Sequence, residues 1–193
     1  MDKDRLLAFS DGVIAIIITI MVLELKVPHG PEWADLAKLM PVFFSYVLSF
    51  LYVAIYWNNH HHTMHTTSKV TGAVLWANTH LLFWLSLIPF ATGWMGENHF
   101  APLPVAIYGV SLLMPAIAYA ILQTVLLRSE TTFKGWSRAF GFDLKSNLSL
   151  VSYVTGIVIA FFYPLIAFGI YCVVALMWLM PEPDIEKHVE QQR

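Results

Sequence analysis

The sequence has few charged residues, a single cysteine and no polar stretch long enough to form a soluble domain. Charged residues make up 12% of the 193 positions and hydrophobic residues 58%. Soluble globular proteins carry about 25% charged residues, so this composition excludes an ordinary soluble domain. Cys172 stands alone, which excludes an intrachain disulfide. With a net charge of −2 and no basic stripe, a nucleic-acid partner is not expected.

Apolar runs recur along the whole chain and predict an all-α integral membrane protein. Each of the first four runs is long enough to cross a hydrocarbon core of about 30 Å. The last two are shorter and meet at Phe161-Phe162-Tyr163-Pro164, where a proline would break or kink one continuous helix. We therefore predict a helical hairpin there and a single domain, 1–193, of six membrane spans. The predicted spans are 6–26, 40–59, 73–95, 103–127, 147–162 and 164–180.

The basic residues predict the orientation of these spans. With six spans, nine of the eleven basic residues fall in the loops on the side of the N-terminus. These are Lys3, Arg5, Lys69, Arg128, Lys134, Arg138, Lys145, Lys187 and Arg193, against Lys26 and Lys38 on the other side. Loops rich in lysine and arginine stay in the cytoplasm. We expect both termini to be cytoplasmic in a multi-pass protein of a prokaryotic cell membrane.

The first predicted helix carries one acid at membrane depth and a stripe of branched side chains. An ionised carboxylate inside a bilayer costs on the order of 3 kcal/mol or more, so Asp11 needs a partner or a function. At about 100° per residue, Ile16, Ile20 and Leu23 lie within about 40° of one direction and Thr19 within about 60°. Asp11 is about 140° away and is expected to point into the bundle. Such a stripe usually faces lipid or packs inside the protein, so its spacing alone does not assign a pore.

Polar residues on the second and third predicted spans are the expected partners of this acid. His60 closes the second span and Asn78 and His80 lie in the third, near the depth of Asp11 in the predicted topology. An Asp–His–Asn cluster would satisfy a carboxylate that has no access to water.

A metal site is the alternative for the histidines. His61 and His65 have the i, i+4 spacing that can place two ligands on one helix face. No cysteine or suitable acid accompanies them, and an HExxH motif is absent. A solvated or hydrogen-bonded role for the histidines is therefore favoured over metal binding.

The motif RxxxFSD opens the first helix with Arg5, Phe9, Ser10 and Asp11. This chain closely resembles prokaryotic members of the transmembrane protein 175 family, relatives of the endolysosomal potassium channel. The resemblance extends over the whole chain through further pieces in the same order. These are Leu23-Glu24-Leu25-Lys26-Val27-Pro28, the Trp57, Asn58 and His60-His61 end of the second span, Asn78 with Leu87-Ile88-Pro89-Phe90, and Trp178-Leu179-Met180-Pro181.

The resemblance implies a potassium-selective or potassium-preferring cation channel rather than an enzyme. It implies a homotetramer in the lipid bilayer, with four copies of the first helix around a pore for monovalent cations. No cofactor is implied beyond the permeant potassium ions, and the sequence contains no TVGYG filter. The His60-His61-His62 run departs from the family, in which a basic residue is commoner near that position.

The resemblance also implies roles for individual residues. Ile16, Ile20 and Leu23, five, nine and twelve positions after the aspartate, correspond to the pore constriction, and Thr19 to the selectivity layer. The implied structural network around the motif comprises Arg5, Phe9, Ser10, Asp11, Trp57, Asn58, His60, Asn78 and His80.

Two other classes of protein remain open from the sequence. A proton-coupled secondary transporter could use Asp11 and the histidines, because acids and histidines form proton relays in membranes. The absence of an evident inverted repeat or of interrupted helices argues against it. A membrane enzyme or redox protein could use the histidines for a metal or haem.

Overall fold

The computed structural model describes residues 3–65, 70–129 and 144–179, which form eight α-helices and no strand. The predicted all-α class is confirmed. The helices are α1 (Lys3–Leu23), α2 (Trp33–Ala37), α3 (Met40–His65), α4 (Gly72–Leu85), α5 (Ile88–Glu97), α6 (Pro102–Ser129), α7 (Leu144–Ala160) and α8 (Pro164–Leu179).

Four segments are long and apolar enough to cross a membrane. They are Lys3–Leu23, Met40–Met64, Gly72–Glu97 and Pro102–Arg128. Helices α7 and α8 are apolar but have only 17 and 16 residues, so each is about 25 Å long against a hydrocarbon core of about 30 Å. The count of six spans remains a prediction. Met180 and Pro181, at the end of the last predicted span, lie outside the described residues.

The third predicted span, 73–95, is not one helix but two, α4 and α5, which meet at Ser86 and Leu87. Pro89 follows in the first turn of α5. A proline has no N–H to donate to the preceding turn, whereas at the start of a helix the missing donor is harmless. Between α4 and α5 the backbone forms a tighter turn, in which the N–H of Leu87 donates to the carbonyl of Trp84, three residues back. The expectation that no helix is interrupted was therefore wrong.

The predicted hairpin between the last two helices is confirmed. Helix α7 ends at Ala160 and α8 begins at Pro164, so the turn falls on the four aromatic and proline residues that predicted it. The N–H groups of Phe162 and Tyr163 both donate to the carbonyl of Ile159, which closes the end of α7. The short α2, between the first two spans, was not predicted.

Helix α1 packs against α3, α4 and α5, whereas α7 and α8 pack against each other and against α6. The first core therefore contains residues of α1, such as Ile14, Ile17 and Met21, together with residues of α3, α4 and α6. A second core joins α3, α5, α6, α7 and α8. One consequence is that α1 is held along one side only.

The second core depends on close approach of helices at glycines. The Tyr171 ring of α8 is fully buried against α6 and α7. A methyl group added at Gly109 would lie 2.1 Å from the Tyr171 hydroxyl oxygen and 2.7 Å from Ile157 Cγ1. Both distances are far inside van der Waals contact, so a larger residue at Gly109 must displace the tyrosine or the helix.

We expect Gly109→Ala to destabilise the protein by about 1–3 kcal/mol, the usual effect of overpacking a core. Gly169→Ala is the matched control, because a methyl group there meets nothing within 4 Å and a helical alanine is favoured over glycine. Thermal unfolding of the purified variants measures both effects. Equal melting temperatures for the two variants would show that the tyrosine contact does not constrain this core.

Candidate functional site

A chain of hydrogen bonds fixes the inner half of α1 to α3 and α4. The Asn78 amide donates from Nδ2 to Ser10 Oγ at 2.9 Å, and the Ser10 hydroxyl donates to the Leu6 carbonyl at 2.9 Å. On the other side, Asn78 Oδ1 lies 2.7 Å from His60 Nε2. Since an amide oxygen only accepts, His60 Nε2 carries the proton. Ser10 and Asn78 are fully buried and His60 is 1% exposed, so each bond replaces one to water.

Asp11 has a different partner from the one expected. The indole Nε1 of Trp57 on α3 donates to Asp11 Oδ1 at 2.9 Å. The acid is half-buried, and on an ideal helix its position is about 140° from that of Ile16. An indole N–H is a donor that cannot itself become charged, so it suits a carboxylate at the edge of the hydrocarbon region. The expected Asp–His–Asn cluster is thus divided into two neighbouring groups, Ser10 with Asn78 and His60, and Asp11 with Trp57.

The other residues of the implied network lie outside these two groups. His80 Nε2 accepts a hydrogen bond from Trp84 Nε1 on its own helix at 2.9 Å. Arg5, Phe9 and Asn58 are exposed on the surface of the subunit. Of the nine implied network residues, five are joined by side-chain hydrogen bonds: Ser10, Asp11, Trp57, His60 and Asn78.

The implied constriction residues all lie on the side of α1 that the subunit leaves uncovered. Ile16 is 58% exposed, Ile20 44% and Leu23 74%. By contrast, the residues of α1 that pack into the bundle are at most 9% exposed. These are Leu6, Leu7, Ser10, Ile14, Ile17 and Met21. Helix α1 therefore has one face inside the subunit and one apolar face available to lipid, another subunit or a pore.

Thr19 lies on the same uncovered face. Its hydroxyl donates to the Ile16 carbonyl at 2.9 Å. Because the single proton is used within the helix, the oxygen lone pairs remain available as acceptors, which a cation requires. The sequence placed Thr19 beside Ile16, but it could not show where the hydroxyl proton points.

Beyond α1, charged groups join the first loop to the end of α5. Lys26 forms an ion pair with Glu97, and the hydrogen bond to that carboxylate is the main reason the pKa of Lys26 is raised. The Glu24 carboxylate packs on Gly93, where an added methyl group would come within 2.7 Å of its Oε2 atom. These contacts fix the outer end of α1 to α5. Neither pairing was predicted from the sequence.

The metal alternative finds limited support in the described residues. The His61 ring lies beside the Trp57 ring, tilted by 34° at a centroid separation of 5.7 Å, and the His65 side chain lies outside the described residues. Within the described ranges, no three His, Cys, Asp or Glu residues are close enough to hold a metal ion.

Long apolar helices, a buried polar chain inside them and one uncovered helix face define an integral membrane protein of the helical-bundle class. Comparison with known proteins narrows this class. The sequence model described as "Endosomal/lysosomal potassium channel TMEM175" matches residues 5–89.

Similar proteins cover most of the chain. A protein from Chryseobacterium sp. (strain P1-3), named as a potassium channel, is 56% identical over 191 residues, which is 99% of this chain and 100% of that protein. A protein from Streptomyces collinus, also named as a potassium channel, is 31% identical over 140 residues, or 68% of each chain. The crystal structure of a lysosomal potassium-selective channel TMEM175 homologue from Chamaesiphon minutus matches with a TM-score of 0.78 and 26% identity, over 92% of this chain and 96% of that one.

The chain belongs to the TMEM175 family of ion channels. It is a cation channel and a membrane protein, not an enzyme.

We expect Asn78→Ala to destabilise the protein strongly, because it leaves the buried Nε2–H of His60 without an acceptor, at about 1–3 kcal/mol, and removes the amide donor to Ser10 Oγ. Asn98→Ala is the matched control, since the Asn98 amide is exposed and bonds only the Trp94 carbonyl of its own helix. Thermal unfolding in detergent measures the difference. A melting temperature of Asn78→Ala equal to that of the control would show that the buried chain does not anchor α1.

Proposed function

We propose that the protein is a potassium-selective or potassium-preferring channel whose pore is lined by α1. Ile16, Ile20 and Leu23 form its hydrophobic constriction and Thr19 its selectivity layer. The chain has no TVGYG filter that could select ions by a cage of carbonyl oxygens. Selectivity therefore has to come from side chains of α1.

The observation that carries this proposal is the uncovered apolar face of α1. Ile16 and Leu23 are more than half exposed in the subunit, although α1 is anchored firmly on its other side by Ser10. A helix that only needed lipid contact would not require a buried hydrogen-bonded chain to fix its rotation. A fixed rotation of α1 would keep its exposed face directed at one particular surface, such as the wall of a pore.

A single α1 cannot enclose a path, so copies of the chain must surround it. Closed rotational symmetry is the usual arrangement of identical subunits. We propose a homotetramer, with four copies of the uncovered face meeting at the axis. The anchored face of each α1 then remains in its own subunit.

A ring of isoleucine side chains would discriminate among cations through hydration. A narrow apolar passage holds water poorly and can gate by dewetting. An ion that crosses it must lose part of its hydration shell, and potassium holds water less tightly than sodium. Four Thr19 oxygens one turn away, each with lone pairs to offer, would replace part of that water. This design favours potassium moderately.

The proposal also covers the membrane in which the protein lies and the orientation of its spans. We propose a multi-pass arrangement of six spans in the prokaryotic cell membrane with both termini in the cytoplasm. The excess of basic residues on one side and the hairpin of α7 and α8 support it. Permeant potassium ions are the proposed ligands, and no resident cofactor is proposed.

We expect Ile16→Ala and Ile16→Asn to raise basal conductance by roughly tenfold, which corresponds to a barrier lower by ~1.4 kcal/mol. The smaller side chain widens the constriction, and the polar one holds water in it. Currents of the purified protein in planar bilayers measure this, with Val154→Ala, an exposed apolar position on α7, as the control. Unchanged current and selectivity in both Ile16 variants would remove this residue from the constriction.

We expect Thr19→Val to lower the preference for potassium over sodium while leaving the constriction in place, because valine keeps the shape and loses the oxygen. The reversal potential under a potassium/sodium bi-ionic gradient would move toward zero. Thr79→Val is the matched control, since Thr79 is an exposed residue of α4 that also donates to its own helix. A reversal potential that does not move in Thr19→Val would place selectivity elsewhere.

A proton-coupled secondary transporter is the second candidate function. The interrupted α4–α5 segment and the buried chain around His60 are features that transporters also use. Current recordings in planar bilayers and uptake measurements in vesicles separate the two functions. A channel gives an ohmic current that reverses near the potassium equilibrium potential, whereas a transporter gives saturable uptake coupled to a proton gradient.

A further inference from the structure

An apolar groove of about 390 Å³ runs between α6 and α7. Its walls include Ile117, Ala120, Ile121, Thr124 and Leu150, and Arg128 closes one end. The neighbouring residues Ala118 and Leu122 of α6 are fully buried in the first core, so the groove lies on a different face of that helix. It is separate from the uncovered face of α1.

The groove combines apolar walls with one exposed charge, that of Arg128. Arg128 stands in the last turn of α6 and is exposed. Among the residues that the structure describes, the ion pairs are Lys26 with Glu97 and Lys38 with Asp35, and neither involves Arg128. A guanidinium beside an apolar surface is matched by a ligand with an anionic head and a long apolar tail.

The dimensions of the groove correspond to one leaflet of a bilayer. From Ile117 to Arg128 the helix rises by about 16 Å, close to half of a hydrocarbon core of about 30 Å. Arg128 is also the last residue of the candidate span Pro102–Arg128. We place this charge at the level of the phospholipid headgroups, because a charged side chain is costly deeper in the hydrocarbon.

We propose that this groove binds one anionic phospholipid, with an acyl chain between Ile117 and Leu150 and the headgroup phosphate on Arg128. Arginine pairs with phosphate through two parallel N–H donors, which makes it a strong and directional partner. In the orientation proposed above, the lipid belongs to the cytoplasmic leaflet, where anionic lipids attract basic residues. The site is independent of ion selectivity, because it lies on α6 and α7.

Native mass spectrometry of the purified protein with equal amounts of phosphatidylglycerol and phosphatidylethanolamine tests the site. We expect the wild-type chain to retain phosphatidylglycerol in preference, and Arg128→Gln to weaken that retention about fivefold, the effect of one basic residue at an anionic surface. Lys38→Gln is the matched control, since it removes an exposed positive charge far from the groove. It should retain phosphatidylglycerol as the wild type does.

A second variant tests the apolar walls without changing charge. Ala120→Leu fills the groove, so we expect it to reduce retention of both lipids while Arg128 remains in place. Equal retention of the two lipids by the wild type would overturn the proposal, as would identical retention by Arg128→Gln and Lys38→Gln. Lipid retention is measured without ion flux, so its outcome does not depend on whether the channel proposal is correct.

Discussion

The structure depends on the need of every polar group in a membrane helix to find a partner inside the protein. Water is absent from the hydrocarbon core, and an unpaired polar group there costs several kcal/mol. Helix α1 carries Ser10 and Asp11 near its inner end, and each is bonded to a side chain of another helix. These bonds decide which side of α1 faces the bundle, and the rest of the helix follows as a rigid body.

Fixing one side of α1 leaves the other side defined as well. Ile14, Ile17 and Met21 follow Ser10 into the first core, while Ile16 and Leu23 remain uncovered. A helix that was apolar all around would have no reason to choose one rotation in lipid. In this protein two polar side chains provide that reason. The outer end is fixed separately, through Lys26 and Glu97.

The sequence predicted the elements whose cause is local and missed those whose cause lies between helices. The turn before Pro164 follows from residues close together in the chain and was predicted. The spacing along α1 grouped Ile16, Ile20 and Leu23 but left open whether that stripe faces lipid or the interior of the protein. The break at Ser86 was missed although Pro89 was visible, because membrane helices often continue through a proline. Trp57 was known as a residue of the second span, but its pairing with Asp11 depends on the relative depth and rotation of α1 and α3, which spacing along one helix does not contain.

The anchoring of α1 also limits how its uncovered face can move. A rigid rotation that carried Ile16 away would carry Ser10 and Asp11 with it and break their bonds to Asn78 and Trp57. With about 1–3 kcal/mol for each buried group left unpaired, such a rotation would be populated only rarely. A rotamer change of Ile16 breaks none of these bonds. A bend of the helix above Asp11 also leaves these bonds intact. Gly12, at that point, is exposed, and a methyl group added there would meet nothing within 4 Å. Motions that leave the inner turns in place are therefore the ones that the structure permits at low energy.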